Sequence, residues 1–314
     1  MNTKNCQFLM LGFSRGAAVG AVLLTLALLP TRVSGQNVYE SDDAGTVNMI
    51  TPGGSVSPIG VAGFAILGLE FPRGLAFNST STLFVADEGS DTIDEVSSGG
   101  NVSIFASGLN GPTGLAFNAT GTLFVANNGN GTISEVTPDG SVSTFASGLH
   151  SPTGLAFNST GTLFVANAGS SNTISEFTPD GIVSTFASGF SFPVGLAFNS
   201  TGTLFVANVL AGSISEVTPG GIVSTFAASL GSPYGLAFNT TGTLFVANNS
   251  GGTIDEVTPG GSVSTFIPSG AGLAPEFLTF QTTVPEPADA AAALGLAALA
   301  AGWWRKSPQR LRLP

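Results

Sequence analysis

The chain is a succession of short apolar runs cut by clusters of Gly, Asn, Ser, Thr and Pro. From Ser151 to Phe190 the runs are GLAFN, LFVAN, TISEF and VSTFA, and turn clusters such as NSTGT and TPDG separate them. Runs of this length bounded by turn residues predict strands. The pattern recurs: GLAFN begins at Gly74, Gly114, Gly154, Gly195 and Gly235, at intervals of 40, 40, 41 and 40 residues. A fixed period of that size with four strands per copy predicts one propeller blade per repeat.

The two ends of this array complete each other. From Asn37, NVYESDDAGTVNMITPGGSVSPI aligns with the last three strands of a repeat, LFVANNGNGTISEVTPDGSVSTF from Leu123 to Phe145, and lacks the first strand. That strand stands at the other end, where PEFLTFQ (Pro275 to Gln281) matches PTGLAFN (Pro152 to Asn158). Five whole blades and this composite one predict an all-β, six-bladed β-propeller of four-stranded blades, closed by a C-terminal first strand plus three N-terminal strands. Such sharing leaves no sheet edge open at the seam. The expected organisation is an N-terminal signal over 1–35, the propeller over 36–281, and a segment with a C-terminal apolar helix over 282–314.

Charge narrows the functions available. Charged residues make up 9% of the chain, against about 25% in an ordinary domain, and the formal net charge is −11. Seven of the eight basic residues lie before position 36 or after position 304, leaving Arg73 alone in the body. An acidic body repels phosphate backbones, so nucleic acid is not an expected partner. The one cysteine, Cys6, precedes the first apolar run and has no lipoprotein or disulfide role. No Gly-x-Ser-x-Gly elbow, phosphate loop or histidine-rich metal motif is present.

The order Pro-x-Gly-Leu-Ala-Phe-Asn, Leu-Phe-Val-Ala-Asn, Gly-Thr-Ile and Thr-Pro-Asp-Gly resembles the NHL family of six-bladed propellers over roughly residues 37 to 281. Asparagine stands where that family commonly has aspartate after Val-Ala, and only Asp87 keeps the acid. The resemblance implies a fold shared by hydrolases, lyases and binding modules. In its lyases and lactonases it implies catalytic and metal-binding groups at one end of the channel. Here the residues between proline and glycine in each first strand form the candidate channel-mouth ring: Arg73, Thr113, Thr153, Val194, Tyr234 and Glu276. His150, the single histidine, excludes a multi-histidine zinc site. No cofactor is called for. Calcium is the ion that Glu276 with Asn127, Asn167, Asn208 and Asn248 would suit, against the alternative that these asparagines cap the second hairpin. Arg73 falls beside Asp87 and Glu88 and should form a salt bridge there. The crowd Asp87, Glu88, Asp91, Asp94 and Glu95 reads as a solvated acidic patch. Pro58 to Phe71 is an apolar insertion that lids the channel, docks a partner or packs on the neighbouring blade.

The termini carry an address. Lys4, Arg15, the apolar run Ala17 to Leu29 and the small residues before Gln36 read as a secretory signal, with cleavage between Gly35 and Gln36. The C-terminal segment resembles a PEP-CTERM sorting signal, with the motif Val284, Pro285, Glu286 and Pro287, an apolar run to Trp304, and the basic residues Arg305, Lys306, Arg310 and Arg312. That resemblance implies a transient membrane anchor. It also implies an exosortase-type processing enzyme that releases the propeller to the surface or exopolysaccharide matrix of a Gram-negative bacterium. The resulting expectation is a binding or structural module whose partner is a polysaccharide or surface protein. The alternative is a metal-dependent lyase or lactonase at the channel mouth.

Alternating strands send the near-uniform loops (NSTGT, TPDG) to one rim. The variable loops (EGSDT, NGNGT, AGSSNT, VLAGS, NSGGT and the crossovers) go to the other. Gln281 and Asn37 both lie on the uniform rim, so the variable rim should face away from the membrane before release. Cysteines introduced at Asn78 and at His150 should therefore label differently with a bulky maleimide on intact cells that cannot process the chain, His150 more readily. Equal labelling would contradict this orientation.

Overall fold

The computed structural model describes residues 36–42, 45–59, 68–97, 100–178 and 181–281. The expected signal peptide, Gly35, the sorting segment with its motif and basic residues, and the core of the apolar insertion (60–67) lie outside the described residues. Among the described residues no helix is long and apolar enough to cross a membrane.

The strands form six four-stranded antiparallel sheets. In blade 3, Pro152–Phe157, Leu163–Asn167, Thr173–Phe177 and Val183–Ser188 follow one another from the axis outwards. In the composite blade, Pro275–Phe280 pairs with Val38–Asp42, which is followed by Thr46–Ile50 and Val56–Pro58. The first hairpins explain their own uniformity. Asn158 Oδ1 accepts the N–H groups of Thr160 and Thr162 and the Thr160 hydroxyl. Asn78, Asn118, Asn199 and Asn239 repeat this Asx turn.

Each second strand is buried on both faces. Phe164 and Ala166 pack on Leu196 and Val206 of blade 4, while Leu163 and Val165 pack on Phe124 and Ala126 of blade 2. This is why LFVAN is continuously apolar rather than alternating. Its phenylalanine is the inter-blade staple: Phe164 meets Phe186 of its own blade at 4.9 Å and Phe198 of the next at 5.1 Å, both edge-on. The arrangement recurs at Phe84, Phe124, Phe205 and Phe245. At the seam Tyr39 meets Phe77 at 4.9 Å, and Ile59 takes the place of the third ring. A pocket of about 420 Å³ lined by Tyr39, Ile59, Phe77 and Gln281 opens beside this contact.

The composite blade carries one further departure. Glu40 occupies the position held elsewhere by Val85, Val125, Val165, Val206 and Val246, and like them it is fully buried. Its Oε1 accepts from Asn48 Nδ2 at 2.6 Å, while Oε2 has no partner. Burial pushes this carboxyl up to about 8; the Asn48 bond opposes the shift and the Asp42 charge adds to it. From its ordinary value of 4.5 up to about pH 8, the folded chain keeps a proton that the unfolded chain has released, so stability falls as pH rises through that window. Glu40→Gln should match the parent near pH 4.5. It should exceed the parent at pH 9 by on the order of 4 kcal/mol, read as a melting temperature at least ~8 °C higher. A pH-independent difference between the two chains would contradict this assignment.

Candidate functional site

The innermost strands approach so closely that they leave little channel. A Cβ on Gly114 would lie 2.1 Å from the Thr153 carbonyl oxygen of the next blade, and Gly74, Gly154 and Gly195 stand in the same relation to Thr113, Val194 and Tyr234. Phe277 takes the place of the sixth glycine. The cavity these residues line with their neighbouring leucines measures about 70 Å³. With about 30 Å³ per water, it admits a few waters and not a substrate.

The candidate ring residues lie directly above, and most are engaged. The Thr113 hydroxyl donates to carbonyls of Ala126 in its own blade and Pro152 in the next; Thr153 does the same to Ala166 and Pro193. Val194 is buried, and Tyr234 is partly exposed. Arg73 Nε donates to Glu88 Oε2 at 2.6 Å, and its Nη1 donates to Glu276 Oε2. Glu276 is 3% exposed. Burial alone would lower the guanidinium's pKa; the two carboxylates, Glu276 first, more than offset it and leave it raised. The sequence placed Arg73 against the first hairpin of its own blade. The partner it did not supply is Glu276, 203 positions away. Beside this pair Ser41 Oγ donates to the Arg73 carbonyl at 2.6 Å, so two polar links join the composite blade to blade 1, and Glu88 holds Arg73 from within blade 1.

The rim asparagines cap strands. Asn127 Nδ2 donates to Ser134 Oγ at 2.8 Å and Asn208 Nδ2 to Ser215 Oγ at 2.8 Å, while Asn208 Oδ1 accepts the Ser191 N–H at 3.1 Å. Asn248 bonds Asp255 at the same place. Asp87 is the acidic version, receiving the N–H groups of Glu70 and Phe71 and the Ser90 hydroxyl. The expected acidic patch is thus not a solvated one. Asp87 and Asp94 are buried, Asp91 Oδ1 accepts the Gly111 N–H at 2.7 Å, and Glu88 serves Arg73. Burial chiefly pushes the Asp94 carboxyl up, with the Thr92 hydroxyl opposing and the Asp87 charge assisting. Among the described residues no three His, Cys, Asp or Glu side chains are grouped to hold a metal. The acids at the mouth face a guanidinium, so these residues do not fit a cation site there. His150 is exposed on the variable rim, away from this network. Gln36 is tied into the fold, donating to the Gln281 carbonyl and accepting the Thr240 N–H.

Residues 45–282 match the sequence model of the Virginiamycin B lyase family. No curated protein matches the chain significantly in sequence. Among solved structures, a virginiamycin B lyase from Staphylococcus aureus is similar with a TM-score of 0.59 at 17% identity, over 77% of this chain and 87% of that one. A gluconolactonase from Xanthomonas campestris gives 0.61 at 19% identity, over 67% and 79% of the two chains. A chain of a nidogen/laminin complex gives 0.71 at 16% identity, over 79% and 99%. At these identities the likeness is one of fold.

Removing the guanidinium should strand a buried carboxylate. Arg73→Met is expected to cost about 3 kcal/mol in denaturant unfolding, and Arg73→Met with Glu276→Thr to recover most of it, since threonine serves at this position in blades 2 and 3. Equal losses in the single and double variants would show that the ion pair does not hold the seam.

Proposed function

We propose that this chain, which belongs to the virginiamycin B lyase family, works as a non-catalytic binding module for neutral glycans at the cell surface or in the exopolysaccharide matrix. The observation that carries the reading is the state of the channel mouth. Its charges are committed to one another in the Arg73, Glu88 and Glu276 network, and its threonine hydroxyls donate to carbonyls. A general base or nucleophile must have its lone pair directed at a substrate, and these groups are directed at the protein. The mostly uncharged polar surface suits ligands recognised through hydroxyls. The address rests on the sequence of the two termini: export through the N-terminal signal, transient anchoring by the C-terminal segment, and release by an exosortase-type enzyme near Val284 to Pro287 in a Gram-negative bacterium.

A second reading has the family match in its favour: metal-dependent lyase or lactonase chemistry at the mouth, with Glu276, Tyr234 and Arg73 around the substrate. The full-length chain should be incubated with virginiamycin B and with gluconolactone, with and without Mg²⁺ or Ca²⁺, and its retention measured on immobilised neutral polysaccharides. We expect no product above a heat-denatured control, together with saturable retention on a neutral polysaccharide. Turnover that disappears in Glu276→Gln would replace the binding reading with the enzymatic one. Absence of retention on every neutral polysaccharide would overturn glycan binding.

A further inference from the structure

Between blades 2 and 3 a groove of about 480 Å³ opens on the side of the disc and reaches the variable rim. Its volume lies in the range of small-molecule sites. Its walls include Phe145 from the outer strand of blade 2, Phe177 from the third strand of blade 3, with ring centroids 5.7 Å apart, and Leu149 and His150 from the crossover. Among the described residues that line it, none is Asp, Glu, Lys or Arg.

Two polar groups in this lining are buried and have no partner, Asn167 Oδ1 and Ser171 Oγ. Asn167 is only 2% exposed. Its amide nitrogen is satisfied by Ser175 Oγ at 2.9 Å and Thr173 Oγ1 at 3.3 Å, so the oxygen alone is left over. In blades 2 and 4 the corresponding oxygens accept crossover N–H groups, from Asn110 and Ser191. Blade 5 also has an unpartnered oxygen, on Asn248, but the serine in its hairpin, Ser250, bonds Ser232. Blade 3 differs because its second hairpin carries the one extra residue in the repeat array. Asn172 takes a left-handed turn at φ 46° and reaches the Phe192 N–H, and Ser171 is turned inward without a partner. Phe177 adds to the difference, standing where Val96, Val136, Val217 and Val257 do in the other whole blades.

A buried acceptor and a buried hydroxyl without partners are expensive to leave unmade. A ligand hydroxyl, being both donor and acceptor, answers either. The half-buried Phe145 ring, backed by the fully buried Phe177, supplies an apolar face for the C–H side of a sugar ring, and a lining without formal charge on an acidic protein disfavours anionic ligands. We propose that the groove between blades 2 and 3 binds one neutral sugar unit of a polysaccharide, through hydroxyls placed on Asn167 Oδ1 and Ser171 Oγ and a ring face against Phe145, which Phe177 backs. This deepens the glycan-binding reading above and rests on it.

The test is titration calorimetry of the full-length chain with cellotetraose, maltotetraose and mannotetraose, and with polygalacturonate as the acidic comparison. One of the neutral tetrasaccharides should bind. Ser171→Ala should weaken it by roughly tenfold and Phe145→Ile, the residue that the composite blade has at this position, by at least a few fold, while Ser250→Ala leaves it unchanged. Ser171→Ala and Ser250→Ala should melt near the parent, since neither removes a packed apolar side chain. Binding that survives both Ser171→Ala and Phe145→Ile would overturn the groove assignment while the glycan-binding function stands. Binding of none of the neutral probes, or of polygalacturonate alone, would overturn the groove assignment and, with failed retention on polysaccharides, the function as well.

Discussion

The closeness of the six inner strands governs the rest of the molecule. Where Gly114 faces the Thr153 carbonyl, a Cβ would sit at 2.1 Å, well inside van der Waals contact. The glycine of each Pro-x-Gly-Leu run is therefore a condition for the blades to meet, not a source of flexibility. With that spacing set, the axial cavity shrinks to about 70 Å³. The same approach lets Thr113 and Thr153 bridge to the next blade's carbonyls. The open concave surfaces that remain are on the rim and between blades.

Further from the axis the spacing is filled by aromatic contacts. Each second-strand phenylalanine packs edge-on against one ring of its own blade and one of the next, a geometry favoured by the ring quadrupole. Five of the six junctions have this three-ring arrangement. The seam between the composite blade and blade 1 has Tyr39, Phe77 and Ile59, and a pocket opens beside them. The polar links concentrate at the same place: Ser41 to the Arg73 carbonyl, and Arg73 to Glu276 and Glu88. A junction with less apolar contact, and with its two ends far apart in the chain, relies on directed hydrogen bonds and charge.

The repeats diverge where packing exerts least control. Loops on the uniform rim are held by Asx turns whose Asn and Thr residues recur in every whole blade. On the variable rim an added residue, as at Ser171, is accommodated without disturbing the strands. The same freedom turns a loop hydroxyl, that of Ser171, inward without a partner. Blade 3 accordingly acquires unpartnered buried atoms beside a groove, while its strand registers follow those of blades 1 and 4.

By itself the sequence determined the repeat, the four strands in each blade, the composite closure and the sorting of loops to two rims. All of these follow from local periodicity and turn chemistry, which act over a few residues. It also gave the ring positions and the Arg73 and Glu88 neighbourhood, because one hairpin brings them together. Tertiary structure decided which of those groups are available. Asp87 and Asp94 turned inward from an apparently exposed acidic run, Glu40 entered a valine's place, and Glu276 met Arg73 across 203 positions. The signal for Glu40 was present as an acid inside an apolar run, although aligning NVYES with LFVAN sets it against Ala126, one position off the valine place that the strand pairing gives it, and that for Ser171 was present in the single interval of 41 residues. Their consequence was not, because burial and hydrogen-bond satisfaction are set by the face of the neighbouring blade, and no local pattern in one repeat specifies what the next repeat presents to it.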